Sequence, residues 1–341
     1  MKLAICHIAI AFVIALPISA QVVPQAQTSA GPALTSYAGE SILAWAGISS
    51  ESGDGQVIHK IAYQVYDGAW AGQKFISDYP VNNTIAAPAL AFGDYQTLLA
   101  WAQDDNLVHY ANWNSTSQSF SAPAGTICTA AICKTTHAPA LAGNTDALVA
   151  AWTTVSGAVQ YASYTGSNWT LYTETVPGVS TKVAPALAIF DNELYLAWVD
   201  SDNQVEVEHA ALPLSASGAS WTSMPTPGVV SSVAPALGGG FIDNVPWKGG
   251  NELFLAWTNQ SEIDFLYWDG TGWLPWGPPY PIPPGPLDDY SPALTYSAGE
   301  GCSSLYSFNV AATLGGSDAG RIDFTPVNEV LYTSPFCEHN Q

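Results

Sequence analysis

The chain has 341 residues, 48% of them hydrophobic and only 10% charged, with 7 Lys+Arg against 28 Asp+Glu and a net charge of −21. It therefore lacks the clustered Lys and Arg that phosphate recognition needs, and nucleic acid is excluded as a partner. Its 13 Trp, 16 Tyr and 11 Phe argue against disorder. Its one arginine, Arg321, cannot build the guanidinium cluster that clamps a sialic carboxylate, so a sialidase is not expected.

Residues 1–20 read as a signal peptide. Lys2 is the positive start, Leu3 to Leu16 is apolar, Pro17 ends the run, and Ile18-Ser19-Ala20 supplies a cleavage site. The apolar run is shorter than a bilayer span and no second one follows. A secreted protein with no membrane segment in its mature form is expected, with 21–341 as a single domain. Removal of the signal takes Cys6 and leaves Cys128, Cys133, Cys302 and Cys337, an even number suited to an oxidising compartment. Three pairings are possible, and Cys128–Cys133 with Cys302–Cys337 is preferred. No second Cys or His pair sits at ligand spacing, so no metal site and no cofactor are expected. Asn82, Asn114, Asn168 and Asn259 each begin an Asn-x-Ser/Thr sequon and are candidate glycosylation sites.

After the signal the chain repeats itself. A Pro-Ala-Leu unit recurs at Pro32, Pro88, Pro139, Pro185, Pro235 and Pro292, spaced 56, 51, 46, 50 and 57 residues apart. Each unit opens a strand of small residues, such as Pro185 to Phe190, followed by a turn such as Asp191-Asn192. An apolar strand ending in Trp comes next, as at Trp45, Trp101, Trp152, Trp198 and Trp257. A polar turn, a third alternating strand and a closing aromatic such as Trp70, Trp169 or Trp273 complete the copy. Four short strands at a period near 50 make one propeller blade, so the fold class is all-β, a six-bladed β-propeller with four antiparallel strands per blade. Copy six lacks the Leu-Ala-Trp ending, and the residues after Pro292 are numerous enough to complete it. The recurrent Trp is expected to fill the wedge between neighbouring blades.

The Pro-Ala-Leu strands, the Leu-Ala-Trp strands and the Gly-x-x-Trp closures resemble the six-bladed fungal fucose-lectin superfamily over residues 25–341, and more loosely the sialidase-like Asp-box propellers. Fucose lectins hold sugar with an Arg, a carboxylate and aromatics at each blade junction, and one arginine cannot supply that repeated site. Asp269-Gly270 lacks the Ser-x-Asp-x-Gly-x-x-Trp frame of a true Asp box.

Function is sought where the copies differ. Two long links, Ser121 to Thr136 and the proline-rich Gly277 to Asp289, lead into opposite blades, three and six, and are expected to wall the channel mouth. The residues just before each Pro-Ala-Leu also ring that mouth, and His137, Lys182, Asp289 and Tyr290 are their titratable members. Trp276 and Tyr280 are expected as aromatic walls. Acidic turn residues such as Asp104, Asp105, Asp200 and Asp202 allow calcium binding, but turn chemistry alone also favours Asp. An insertion from Gly238 to Asn251, carrying Trp247 and Lys248, is a second candidate loop on the other face.

No Ser-His-Asp order, phosphate loop or dinucleotide fingerprint is present. A charge-poor, aromatic-rich propeller suits an apolar or aromatic small molecule in one pocket. In general character it resembles the secreted fungal hetero-Diels–Alderases of tropolone–sesquiterpenoid biosynthesis. That resemblance implies a pericyclase joining an o-quinone methide to a terpene alkene, with Lys182 and Tyr290 donating hydrogen bonds to the electron-poor partner. The alternative is a glycan-binding lectin, whose sites would repeat around the ring on exposed aromatics.

Overall fold

The computed structural model describes residues 21–28, 30–37, 40–49, 58–67, 69–76, 84–121, 123–166, 168–172, 174–215, 217–242, 250–259, 262–276, 280–281, 291–298, 303–313 and 321–333. Six antiparallel sheets stand around an axis. Their inner strands are Ala33–Tyr37, Ala89–Gly93, Ala140–Asn144, Ala186–Phe190, Ala236–Ile242 and Ala293–Ala298. Each inner strand touches the next, and the sixth touches the first, so the ring is closed. The sequence repeat is thus one blade of a six-bladed propeller.

The first-to-second-strand turns of blades two and four are tight because both central residues take positive φ. Asp94 and Tyr95 stand at 49° and 58°, Asp191 and Asn192 at 49° and 61°, which is the geometry that matches the twist of a hairpin. The acidic residues of the second-to-third-strand turns cap their own backbone. Asp200 Oδ1 accepts from the N–H groups of Asp202 and Gln204, both at 2.8 Å. Asp105 Oδ1 accepts from Leu107 N at 2.9 Å, and its carboxylate also meets His109 Nε2. Asp and Asn stand here as turn formers. The described residues contain one helical turn, the 3-10 segment Ala131–Cys133.

The core lies between blades. Along an inner strand successive side chains point to opposite faces. In Pro-Ala-Leu the Leu therefore packs toward the preceding blade and the Ala toward the following one. Leu90 joins the cluster shared with blade one and Ala89 the cluster shared with blade three. The recurrent Trp follows the Leu: Trp45, Trp101 and Trp152 are wholly buried, each against the preceding blade. Trp198 and Trp257 occupy the same place in blades four and five.

Blade six is closed differently from the sequence expectation. Its sheet runs Ala293–Ala298, Ser303–Thr313, Arg321–Thr333 and then Gln21–Gln27. The outermost strand comes from the N-terminal end, where Gln21 pairs with Phe324 and Val22 with Asp323. Val23 and Ala26 are buried, and Gln64 Nε2 of blade one donates to Pro24 O at 2.8 Å. Among the described residues the fourth strand of this sheet comes from the start of the chain and not from the last copy.

Cys128–Cys133 is formed, with Cα atoms 5.8 Å apart. Cys302 and Cys337 lie outside the described residues, as do Asn82 and the Trp247-Lys248 segment. Asn114, Asn168 and Asn259 are exposed.

Candidate functional site

Five of the six links that enter the inner strands share a device that the sequence reading passed over. A buried hydroxyl stands four residues before the first five repeat prolines: Thr28, Thr84, Thr135, Thr181 and Ser231. Each bonds back to the residue two further on. Thr84 Oγ1 donates to Ala86 O at 2.7 Å, Ser231 Oγ donates to Val233 O at 2.8 Å, and His137 N donates to Thr135 Oγ1 at 3.0 Å. Val183 is gripped from both sides, since its N–H donates to Thr181 Oγ1 and its C=O accepts from Thr153 Oγ1 at 2.6 Å. Such local side-chain bonds fix a turn without a ladder. The repeated Thr/Ser was the signal that could have located these anchors.

What they hold in place is the mouth of the channel. A cavity of about 430 Å3 opens there, lined by all six Pro-Ala-Leu units and by the residues just ahead of them. Ala30, Ile85, Ala86, Val183 and Val233 give an apolar wall, and Thr136, His137, Ser232 and Ser291 supply polar groups. Ile85 is 41% exposed and forms a greasy lip. Gly31 allows blades one and six to meet, because a Cβ there would lie 2.7 Å from Ser291 O.

His137 is the only titratable side chain among the described lining residues. Burial holds its pKa below the ordinary histidine value, because a desolvated imidazolium is disfavoured. At neutral pH it is therefore an uncharged imidazole with one donor and one acceptor. Its link is braced by the disulfide: Cys133 is 1% exposed in the core between blades two and three, and Thr135 N donates to Asn106 O at 2.8 Å.

The other expected site residues are placed otherwise. Lys182 precedes Val183 but is exposed and does not line the cavity. Its neighbour Val183 lines the cavity in that link. Trp276 packs between blades five and six, edge-on to Phe254 and Phe265 at 5.2 and 5.7 Å between ring centres. It serves the blade interface instead of the mouth. Tyr280 pairs with Ile263 in a short outer strand of blade five. Asp289 and Tyr290 lie outside the described residues.

A second constellation lies on blade four, away from the mouth. Glu193 Oε2 accepts from Tyr195 OH and meets His209 Nδ1, both at 2.9 Å, and the Tyr195 and His209 rings stack at 5.7 Å. Burial and the adjacent carboxylate push the Tyr195 phenol up.

Fold and cavity together define a six-bladed propeller with one mouth cavity built from unlike residues. No protein-family model matches the chain, and no curated protein matches it. Among solved structures it is similar to the SapL1 lectin, solved with alpha methyl fucoside, at 14% identity and a TM-score of 0.59 over 92% of this chain and 98% of that one. AofleA from Arthrobotrys oligospora is similar at 8% identity and a TM-score of 0.60, covering 93% and 90%. The fucose-specific lectin of Aleuria aurantia, in a complex with Fucalpha1-6GlcNAc, is similar at 13% and 0.52, covering 91% and 98%. A Trypanosoma rangeli sialidase is similar at 10% and 0.58, where this chain spans 55% of that one. At these identities the likeness establishes the fold alone.

Proposed function

We propose that this chain is a binding propeller whose mouth cavity takes one small, largely apolar molecule, with His137 as the polar group that orients it. The observation that carries this reading is the cavity: about 430 Å3, walled by Ala, Pro, Val, Ile and Leu from all six blades, with a single titratable side chain in its described lining. Sites of this size with few polar groups suit small ligands. An uncharged imidazole gives one hydrogen bond to a ligand oxygen without demanding an opposite charge.

The cycloaddition expected from the sequence is the catalytic form of this reading. It asks the same cavity to hold two apolar partners and to place a donor on the electron-poor one. None of the similar structures named above is described by that activity, and of the four residues expected to serve it His137 alone is among the described residues that line the cavity. Glycan binding is the second reading, and the fucose-binding lectins among the structural neighbours favour it over cycloaddition. It does not rest on the repeated Trp residues, because Trp45, Trp101 and Trp152 are wholly buried and offer no platform for sugar.

The deciding experiment titrates the neutral fluorophore N-phenyl-1-naphthylamine into the protein and, separately, reads the protein on a glycan array. One fluorophore bound per chain, lost in Val233→Trp with the fold intact, is the expected result. Array binding to fucosylated glycans without fluorophore binding would overturn the apolar reading in favour of the lectin.

A further inference from the structure

The backbone of the repeat has a direction that its side chains do not reveal. Each inner strand is the edge of its sheet, so one side of its backbone pairs with the second strand and the other faces the channel. In blades two and four a two-residue turn joins the two strands, and the residues flanking such a turn are a hydrogen-bonded pair, Gly93 with Gln96 and Phe190 with Glu193. Along an antiparallel ladder these pairs alternate with residues whose N–H and C=O turn away. Counted back from the turn, the Ala of Pro-Ala-Leu is bonded to the second strand, Ala89 to Ala100 and Ala186 to Ala197. The other four blades pair the equivalent alanines in the same register, such as Ala140 with Ala151 and Ala293 with Ala311. A trans peptide sets its C=O opposite its N–H. The carbonyl just ahead of each bonded Ala N–H belongs to the proline, and it therefore points to the channel. Phe92, at the same parity as Pro88, shows that side directly: its carbonyl oxygen lies where a Cβ on Gly143 of the next inner strand would stand.

At such an edge position proline costs no ladder bond, and it removes the N–H that any other residue would aim into the channel. Pro32, Pro88, Pro139, Pro185, Pro235 and Pro292 are all buried, and all line the mouth cavity. Their layer of the wall carries carbonyl oxygens and no N–H. Two residues ahead of the first five prolines, the N–H groups of Ala30, Ala86, His137, Val183 and Val233 are already given to the Thr and Ser hydroxyls. Among the described residues no hydrogen bond ends on a carbonyl of the six prolines.

We propose that this collar of proline carbonyls seats an ammonium group, so that the ligand of the mouth cavity is an apolar amine. Its N–H donors meet the collar and its apolar body lies against the alanine and valine wall. The proposal rests on the small-molecule reading above and names the chemistry of its ligand. Buried acceptors are costly to leave without a donor, and an alkylammonium brings three. The net charge of −21 favours a cation over an anion. A carboxylate would find only oxygens at the collar.

The test displaces N-phenyl-1-naphthylamine with octylamine, octanol and octanoate in turn, at pH 8, where the amine carries its charge as a lysine does. Octylamine should bind at least about tenfold more tightly than octanol, and octanoate should be the weakest. Octyltrimethylammonium has the charge without the N–H donors and should lose most of the advantage. Pro139→Ala with Pro185→Ala returns two N–H donors to neighbouring places in the collar and should lower the octylamine-to-octanol ratio. A cooperative melt establishes folding, and either single change serves, with a smaller fall, should the pair not fold. A ratio near one in the unmodified protein would overturn the collar and leave the mouth site standing. So would an unchanged ratio in a folded variant that still binds the fluorophore. Octyltrimethylammonium bound as tightly as octylamine would overturn hydrogen bonding to the carbonyls in favour of charge alone. No binding of the fluorophore or of any octyl compound by the unmodified protein would overturn the small-molecule reading and the collar together.

Discussion

Replacing Trp152 by Ala tests whether the recurrent tryptophans are wedges or sugar platforms. The indole is wholly buried among Leu98, Ala100, Val108, Ile127, Cys133 and Leu148, between blades two and three. Removing a large aromatic from such a site costs about 3–5 kcal/mol, because the rigid blade faces cannot close over the void. A domain of about 320 residues unfolds with an entropy near 0.7 kcal/mol/K, so Tm should fall by about 4–7 °C. The Nε1 atom has no hydrogen-bond partner. Trp152→Phe should therefore recover most of the loss, since only volume is at stake. Thermal and urea melts followed by circular dichroism measure both variants, with fluorophore and glycan binding read alongside. An unchanged Tm, or a Phe variant as unstable as the Ala variant, would refute the wedge argument. Loss of glycan binding at unchanged stability would make the indole a recognition group.

Other consequences are independent of that one. Cys128→Ser with Cys133→Ser should cost roughly 2 kcal/mol on the loop-entropy model and loosen the link that presents His137, read as a lower urea midpoint and faster amide exchange over 125–137. As pH falls, the unfolded chain takes up the His137 proton before the folded chain does, because the folded pKa lies below the ordinary value of about 6.5. The stability tied to this group is therefore full above about pH 6.5 and lost as pH falls toward the folded pKa. His137→Gln should flatten the urea midpoint between pH 7.5 and 5.5, and identical profiles would discard the buried, neutral imidazole. Deleting residues 21–27 strips the outer strand of blade six and exposes the sites of Val23 and Ala26. The cost is about 3 kcal/mol or more from burial alone, and a synthetic peptide of that segment should restore the melt. Gly143→Ala places a Cβ against Phe92 O and 2.8 Å from Gly93 Cα, backbone atoms that cannot swing aside. It should cost about 1–3 kcal/mol, measured by chemical denaturation.

The parts of the candidate site differ in how far the sequence reveals them. His137 was visible because it breaks a repeated apolar position, and the structure places it on the cavity wall. Lys182 stands out by the same logic, yet it is exposed and off the cavity wall although its counterparts Ile85, Thr136 and Ser232 line it. Composition cannot distinguish the two, because inward and outward positions in a short irregular link have no period to read. Trp276 lies between blades five and six, and its place was hidden for another reason. Aromatics are used so heavily between blades here that a tryptophan beside a proline-rich loop is as fit for the wedge as for the mouth.

The sequence by itself determined the blade count and the four-strand grammar. Those features are local: each repeats about every 50 residues and obeys the two-residue period of a strand. Only the tertiary structure decided that Gln21–Gln27 completes blade six, since its partner Arg321–Thr333 lies at the far end of the chain and no local pattern encodes that pairing. It also decided that five hydroxyls clamp the links around the mouth. A residue in one blade carries no mark of what its counterparts, about 50 residues away, will do beside it once the ring has closed.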